Sequence, residues 1–268
     1  MTAEMAAPLQ PRPGPPWGEL LLAALASSVV LLIVAPLLGL ILASSFGEVA
    51  GAAADREVIA SVRLTLGCAL AATLLCTLGG VPLAYLLARR RFWGRAALLA
   101  VIDLPIIIPH STAGIALLTV LGRQSLLGTM LGDFVGTSAG ITAAMAFVSA
   151  PFLVNAACNG FAAVPEHLEK AGRTLGATPL RAFVTIALPL AWRDIVSGMI
   201  MMWARGISEF GAVVIVAYYP MTTPTLVFQR FNDFGLSYAR SAAVVLLLIC
   251  VAIFVVLRFV SRPRRAGE

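Results

Sequence analysis

Residues 168–195 read LEKAGRTLGATPLRAFVTIALPLAWRDI, a mixed and charged stretch in a chain otherwise dominated by Leu, Ala, Val and Ile. Its apolar positions recur at i, i+3, i+4 and i+7, the spacing of one helix face: Leu168, Ala171, Gly172 and Leu175. The opposite face is polar: Glu166, Glu169, Lys170 and Arg173. Gly176 follows, where a helix C-terminus favours a residue that adopts a positive φ. The pattern predicts a short amphipathic helix.

The flanking residues predict a second short helix after a tight turn. Pro165 suits the first position of the first helix, where its missing N–H costs nothing. Thr178 offers an N-cap hydroxyl and Pro179 the first position of the next helix, which Pro189 is expected to end. Residues 165–190 are therefore predicted to form a helix–turn–helix, called the elbow below, with one face free to dock. An amphipathic linker on the membrane surface explains the pattern alone equally well.

The elbow stands among apolar runs long enough to cross a bilayer. The chain has 268 residues, of which 60% are hydrophobic and only 12% are charged, whereas soluble domains carry about 25% charged residues. A membrane-spanning helix needs about 20 apolar residues. Six runs qualify: 20–45, 58–88, 97–121, 138–162, 194–218 and 237–260. The sequence predicts an all-α membrane protein with six transmembrane helices and the elbow between helices 4 and 5.

The basic residues indicate the orientation of these helices. They concentrate in alternate loops and at the C-terminus: Arg89, Arg90, Arg91, Arg95, Lys170, Arg173, Arg181, Arg193, Arg262, Arg264 and Arg265. By the positive-inside rule, both termini and the elbow are cytoplasmic. We expect a Pro-rich cytoplasmic tail at 1–19, a transmembrane domain at 20–262 and a basic tail at 263–268. The net charge of +6 thus reflects topology, and no nucleic-acid partner is expected.

The chain lacks the residue patterns of an enzyme or a metal protein. Its two histidines, His110 and His167, lie on different segments, and its four cysteines fall inside apolar runs without a C-x-x-C pair. It has no Walker A loop, no H-E-x-x-H and no G-x-S-x-G. We expect no catalytic residue, metal or cofactor in this chain, and we interpret His110 as a hydrogen-bonding residue. If the chain moves a solute, the energy is expected to come from a partner.

The elbow resembles the EAA loop of ABC importer permeases, whose pattern is E-A-A, three residues, Gly, nine residues and I-x-L-P. Here Gly176 is followed after nine residues by Ile186, and Leu188-Pro189 completes the pattern. Lys170 stands at the usual Glu position, Gly172 stands at the second Ala position, and Glu169 is displaced by one residue. The resemblance implies a coupling helix that docks on an ATPase subunit, where ATP-Mg binds. The residues it implicates are Glu169, Lys170, Ala171, Gly172, Leu175, Gly176, Ile186, Leu188 and Pro189.

The resemblance extends over most of the chain and points to a substrate class. The stretches that show this resemblance are ATLLCTLGGVPLAYLLARR (72–90), LPIIIPHSTAGIALL (104–118) and WARGISEFGAVVIVAYYPMTTPTLVFQRF (203–231). Together they resemble molybdate/tungstate permeases of the inner membrane; sulfate or thiosulfate permeases are the alternative. This family implies a permease homodimer, two cytoplasmic ATPase subunits and an extracytoplasmic oxyanion-binding protein. The elbow and the sparse ionisable residues inside the runs disfavour an ion-coupled secondary carrier, and the lack of a catalytic constellation disfavours an intramembrane enzyme.

Two sets of residues inside the runs are candidates for the transport path and its hinges. Arg205 and Glu209 are four apart and are expected to share one face of the fifth helix. They either line the path or brace the helices, because charges at mid-membrane are costly. Candidate hinges are expected where Gly and Pro interrupt the second and third helices, although packing also explains them: Gly79, Gly80, Pro82, Pro105 and Pro109. Outside, the loop 217–240 is expected to form part of the docking surface for the binding protein, so that charge reversal at Arg230 weakens uptake, although an interfacial aromatic belt also explains its Tyr and Phe residues.

Overall fold

The computed structural model describes residues 17–132 and 134–260. The predicted C-terminal tail and all but the last three residues of the predicted N-terminal tail lie outside the described residues. Within the described part, the chain forms thirteen α-helices and no strand. The first seven are α1 (Trp17–Leu42), α2 (Phe46–Ala54), α3 (Arg56–Arg89), α4 (Arg95–Ile107), α5 (His110–Leu121), α6 (Leu126–Leu131) and α7 (Ser138–Ala163). The others are α8 (Glu166–Thr174), α9 (Pro179–Ala182), α10 (Leu188–Ile207), α11 (Gly211–Val216), α12 (Thr223–Phe234) and α13 (Leu236–Val260), with a π-turn at Phe183–Ala187.

The chain divides into two units after Ser45. The first unit contains α1, a 26-residue apolar helix in which no residue is buried. The second unit, from Phe46 onward, contains all the other helices and the hydrophobic core. The predicted sites all belong to this second unit.

Helices α3, α7 and α10 form the core of the second unit. Small residues bring them together, because a Cβ on Gly206 of α10 would lie 3.3 Å from the Cβ of Ala69 on α3. A Cβ on Gly198 would lie 2.8 Å from the Cβ of Ala156 on α7. Such close contacts are typical of membrane helices, which associate through packing rather than through expulsion of water. Met145 and Met202 fill the space between them and are completely buried.

Five described helical segments are long and apolar enough to cross a membrane, or six if one bent pair counts as a single span. The bent pair is α4 and α5, which correspond to the predicted third span and meet at 115°. Pro109 is the N-cap of α5, whereas Pro105 lies inside α4. The break therefore falls at Pro109, where the missing N–H and fixed φ favour the start of a new helix.

The prediction that glycines and a proline interrupt the second membrane helix is wrong. Helix α3 runs without a break from Arg56 to Arg89 and includes Gly79, Gly80 and Pro82. Proline removes only one backbone hydrogen bond, and an apolar setting penalises every further unpaired backbone group. Gly80 also serves packing, because a Cβ there would lie 3.5 Å from Val154 and 3.6 Å from Leu153 on α7.

The fifth span is also displaced from its prediction, because it runs from Pro179 to Ile207 rather than from 194 to 218. Pro189, expected to end the second elbow helix, lies inside this span. The π-turn at Phe183–Ala187 lies just before Pro189 in the same span. There the Leu188 N–H donates to the carbonyl of Phe183, five residues back. This wider turn gives the ring of Pro189 room beside the preceding turn and lowers the cost of its missing N–H. The second helix of the elbow and the fifth span are therefore one continuous helical segment.

Candidate functional site

The turn of the elbow is closed by backbone and side-chain caps. Gly176 has φ +91°, a left-handed conformation that side chains disfavour. Its N–H donates to the carbonyl of Arg173 at 3.0 Å, and the Ala177 N–H donates to that of Gly172 at 3.0 Å, the Schellman pattern. The Thr178 hydroxyl accepts from the Arg181 N–H at 3.2 Å, and Pro179 follows at the start of α9. These caps fix the angle between α8 and α9.

Two motif positions meet inside the elbow. A Cβ on Gly172 would lie 2.6 Å from the Cδ1 of Ile186, so the glycine lets α8 pack directly on the π-turn. The alanine of the general pattern would not fit here without a shift of Ile186. Pro165 is the N-cap residue of α8, whereas the sequence predicted it as the first residue inside the helix.

The predicted apolar face of α8 is largely exposed. Leu175 is 89% and Leu168 is 37% exposed, and Ala171 is exposed as well. Lys170, at the usual Glu position, is also exposed and pairs with Glu166 at 3.1 Å; this contact lowers the pKa of the Glu166 carboxyl. The outer surface of α8 is therefore open to a partner.

Glu169, predicted on the polar face of α8, is only 8% exposed. The last two turns of α3 reach it: the Arg89 guanidinium lies 2.6 Å from its Oε1, and the Tyr85 hydroxyl donates to its Oε2 at 2.5 Å. Arg89 also donates to the carbonyl of Val164 at 2.9 Å, just before α8. The displaced acid thus anchors the elbow to α3. The sequence pattern missed Tyr85 altogether.

Arg205 and Glu209 are in contact, as expected, but not on one helix. Helix α10 ends at Ile207, and Glu209 lies in the break before α11. Arg205 Nη2 lies 2.9 Å from Glu209 Oε2 and 2.8 Å from His110 Nε2. The Ala212 N–H donates to Glu209 Oε1 at 2.9 Å, so the carboxylate caps α11. Glu209 is 1% exposed, whereas the Arg205 side chain is 23% exposed.

His110 joins this cluster because the two breaks pack against each other. His110 opens α5 directly after the first break, and its Nδ1 lies 3.6 Å from Glu209 Oε2. A Cβ on Gly211 would lie 2.7 Å from the Cβ of His110, and one on Gly114 would lie 2.7 Å from the Cβ of Ile215. Glycines thus bring α5 and α11 together. The sequence named His110 as a hydrogen-bonding residue without identifying this partner.

Arg230 is not available as a docking contact. Its side chain is 7% exposed, and its Nη2 lies 2.7 Å from Asp55 Oδ2 and 2.9 Å from Glu57 Oε2. This three-residue cluster, called the clasp below, joins α12 to the start of α3. The hydrogen bond from Arg230 holds the pKa of Asp55 below its usual value. Arg230 thus contributes to the loop by holding α12 on α3, and docking of a binding protein on the loop 217–240 stays a prediction.

No cluster of three or more His, Cys, Asp or Glu side chains suited to a metal ion occurs among the described residues. The four cysteines are free thiols.

Comparison with known proteins agrees with the helical architecture. Residues 80–265 match the family described as binding-protein-dependent transport system inner membrane component. The molybdate/tungstate transport system permease protein of Thermococcus kodakarensis is 47% identical over 212 residues, covering 79% of this chain and 82% of the relative. The corresponding protein of Pyrococcus abyssi is 46% identical over 241 residues, covering 89% and 94%.

A more distant sequence relative and a solved structure extend the comparison. A probable sulfate transport system permease protein of Nephroselmis olivacea is 31% identical, covering 82% of this chain and 81% of the relative. A bacterial ABC transporter involved in the import of the polysaccharide alginate superposes with a TM-score of 0.72 at 18% identity, covering 94% of this chain and 97% of that one. The chain is a multi-pass inner-membrane protein, and it belongs to the family of binding-protein-dependent transport system inner membrane components.

Proposed function

We propose that this chain is the transmembrane permease subunit of an ATP-driven importer for molybdate or tungstate. The observation that carries the substrate is the 46–47% identity to molybdate/tungstate permeases along most of both chains. In this proposal two copies form the path, two cytoplasmic ABC ATPase subunits bind and hydrolyse ATP-Mg, and an extracytoplasmic protein delivers the oxyanion. This chain itself then needs no cofactor.

The elbow is proposed as the coupling helix, on the cytoplasmic side together with both termini. Two features support this role: the exposed face of α8 with Leu175, and the capped turn at Gly176. A rigid turn transmits a displacement that a flexible linker would absorb. ATP-driven closure of the ATPase subunits would then move the elbow and, through the continuous helix Pro179–Ile207, the membrane-spanning core.

The paired breaks are proposed as part of the translocation path. Arg205 is partly accessible while its partner Glu209 is buried, so the guanidinium can present positive charge to an oxyanion. Glu209 limits that charge and prevents tight retention of the anion. Pro109, at the break between α4 and α5, is the hinge candidate best supported by geometry, because the chain turns by 115° there.

A sulfate permease is the second candidate. Its support is the 31% identity to a probable sulfate permease over 229 residues. Sulfate, molybdate and tungstate are all tetrahedral and doubly charged, so the described residues of the proposed path do not discriminate between these substrates. The higher identity to the molybdate/tungstate proteins favours the first proposal.

The proposal is tested by measuring cellular molybdenum, tungsten and sulfur by mass spectrometry at low oxyanion supply. A strain lacking the gene is compared with strains that carry the intact gene, Gly176→Pro or Gly176→Asn. We expect loss of molybdenum or tungsten, restored by the intact gene and largely by Gly176→Asn, because Asn tolerates a positive φ. Gly176→Pro is expected to fail, because proline fixes φ near −65°.

Each other outcome has a distinct meaning. Loss of sulfur alone would move the substrate to sulfate and leave the importer proposal in place. Full activity of Gly176→Pro would contradict coupling through the elbow. No change in any of the three elements would overturn the proposed substrate.

A further inference from the structure

A cavity lies between the end of α3 and the elbow, and its lining is divided into a charged side and an apolar side. Its volume is about 580 Å³. The apolar side consists of Pro82, Leu86, Leu180 and Phe183, and the charged side is supplied mainly by α3 and α8. Leu86 and Leu180 are 51% and 71% exposed. The apolar side of the cavity is therefore accessible from outside the protein.

The charged side carries an excess of two cations. Its acids are already engaged, because Glu169 pairs with Arg89 at 2.6 Å and Glu166 pairs with Lys170 at 3.1 Å. Arg90 and Arg173 line the same cavity. Among the described residues, neither of these two arginines has an ion-pair partner. Two uncompensated guanidinium groups at one opening suit an anion.

The turn after α3 adds an interfacial anchor beside the cavity. Gly94 adopts φ +91°, and Trp93 and Phe92 before it are 101% and 46% exposed. Exposed aromatic rings next to arginine at the end of a membrane-spanning helix are typical of residues at the level of the lipid headgroups. We therefore expect the opening of the cavity to lie at the membrane surface, where one molecule can offer it both an apolar chain and an anionic group.

We propose that this cavity binds an anionic phospholipid, with the phosphate between Arg90 and Arg173 and an acyl chain along Leu86, Leu180 and Phe183. The inference rests on the proposed function only in placing the elbow at the cytoplasmic surface, where anionic lipids produce a negative potential. A lipid held there contacts α3 and both elbow helices at once. It therefore stabilises the elbow in the position set by Glu169 and Arg89.

The test is a lipid titration of the full-length permease, purified with its ATPase subunits in neutral detergent and followed by native mass spectrometry. The probes are phosphatidylglycerol and phosphatidylcholine. We expect the anionic lipid to bind preferentially and its affinity to fall about fivefold in Arg90→Gln or Arg173→Gln and about 30-fold in the double variant. Arg181→Gln is the matched control, because Arg181 lies on the elbow outside the cavity lining, and it is expected to bind as the native protein does.

Three results would overturn the proposal. They are equal binding of the two lipids, unchanged affinity in the double variant, and displacement of the lipid by inorganic phosphate or molybdate at micromolar concentration, which would make the cavity a site for a free anion. If the double variant does not assemble, a photoactivatable phosphatidylglycerol on the native complex replaces it. Labelling must then map to residues 82–90 and 173–183, and labelling elsewhere alone overturns the proposal. Because no uptake is measured, a different transport substrate would leave this result unchanged.

Discussion

Glu169 holds the elbow by contacts that no neighbouring residue duplicates. Its two carboxylate oxygens are used by different partners, Arg89 and Tyr85, both on α3. Arg89 in turn contacts the carbonyl of Val164 at the entrance to α8. One residue thus connects the start of the elbow to the end of a core helix. Lys170 next to it points to solvent and pairs only within α8.

Replacing Glu169 by Gln is therefore expected to loosen the elbow. Arg89 would keep a weaker, neutral partner in a largely buried position, at a cost of about 2 kcal/mol. Thermal denaturation of the purified complex should show this loss, together with reduced uptake. Lys170→Gln is the control and should leave stability unchanged, because exposed ion pairs contribute little. Additive effects of Glu169→Gln and Arg89→Gln in a double-mutant cycle would contradict direct coupling.

Arg205 and Glu209 call for a paired experiment. Arg205→Met alone leaves Glu209 buried without its closest cation, which is expected to cost about 3 kcal/mol. The double variant Arg205→Met with Glu209→Gln removes both charges and should assemble normally, as judged by co-purification of the ATPase subunits. If Arg205 serves the path, oxyanion uptake by the assembled double variant is still lost. Normal uptake would make the pair a structural brace only.

At the scale of elements, the fold depends on two helix breaks that pack together. The breaks before α5 and before α11 meet at glycines. At the second break Glu209 accepts from the freed Ala212 N–H, and Glu209 and Arg205 both contact His110 at the first break. Backbone groups freed inside a membrane need such partners, since lipid offers none. The breaks are therefore stable features of the fold that depend on each other.

Gly211→Ala tests this dependence. The added Cβ would lie 2.7 Å from the Cβ of His110, so we expect a destabilisation of about 1–3 kcal/mol and a loss of uptake. Gly79→Ala is the matched control, because a Cβ there meets nothing within 4 Å and alanine favours helix. Equal thermal midpoints for the two variants would contradict a tight contact between α5 and α11.

The sequence predicted helix ends and turns well where they depend only on the residues of one short segment. The caps at Gly176 and Thr178 and the break at Pro109 follow from backbone preferences of the residues themselves. The prolines at 82 and 189 were misjudged for one reason. Inside a packed, apolar core, the surrounding helices determine whether a proline ends a helix or is accommodated by a π-turn, and that information is not local.

At the scale of the whole molecule, contacts distant in sequence hold the second unit together. The ion pair of Arg89 with Glu169 joins residues 80 apart. The hydrogen bond between Arg205 and His110 joins residues 95 apart, and the contact of Arg230 with Asp55 in the clasp joins residues 175 apart. Composition and periodicity identified the charged residues but not their partners. The partner of each charged residue depends on which helices pack against each other, and a single sequence does not show that packing.

The clasp predicts a dependence of stability on pH. Arg230 lowers the pKa of Asp55 from its usual 3.8, so its contribution is complete above that value and is lost as the pH falls through the lowered pKa. Arg230→Gln should lower the thermal midpoint of the complex by about 2–4 °C at pH 7, corresponding to about 1 kcal/mol. The difference from the native protein should persist to pH 5 and narrow below about pH 4.

Thermal scans from pH 7.5 to pH 3.5 measure this difference directly. Arg56→Gln, one residue after Asp55 and exposed, is the charge-matched control and should show a smaller and pH-independent change. A difference for Arg230→Gln that is absent at pH 7, or that stays constant to pH 3.5, would contradict the clasp.

The continuous helix from Pro179 to Ile207 has a mechanical consequence. Its 29 residues span about 43 Å at 1.5 Å per residue, with the elbow at one end and Arg205 near the other. As a rigid lever pivoting at the elbow, it would convert a tilt of about 5° into a shift of about 4 Å at the far end. A shift of that size exceeds the 2.8 Å between Arg205 Nη2 and His110 Nε2, which lies on the separate helix α5. If the elbow is the coupling helix, as proposed, a small rotation there would be sufficient to part Arg205 from His110 at the opposite end.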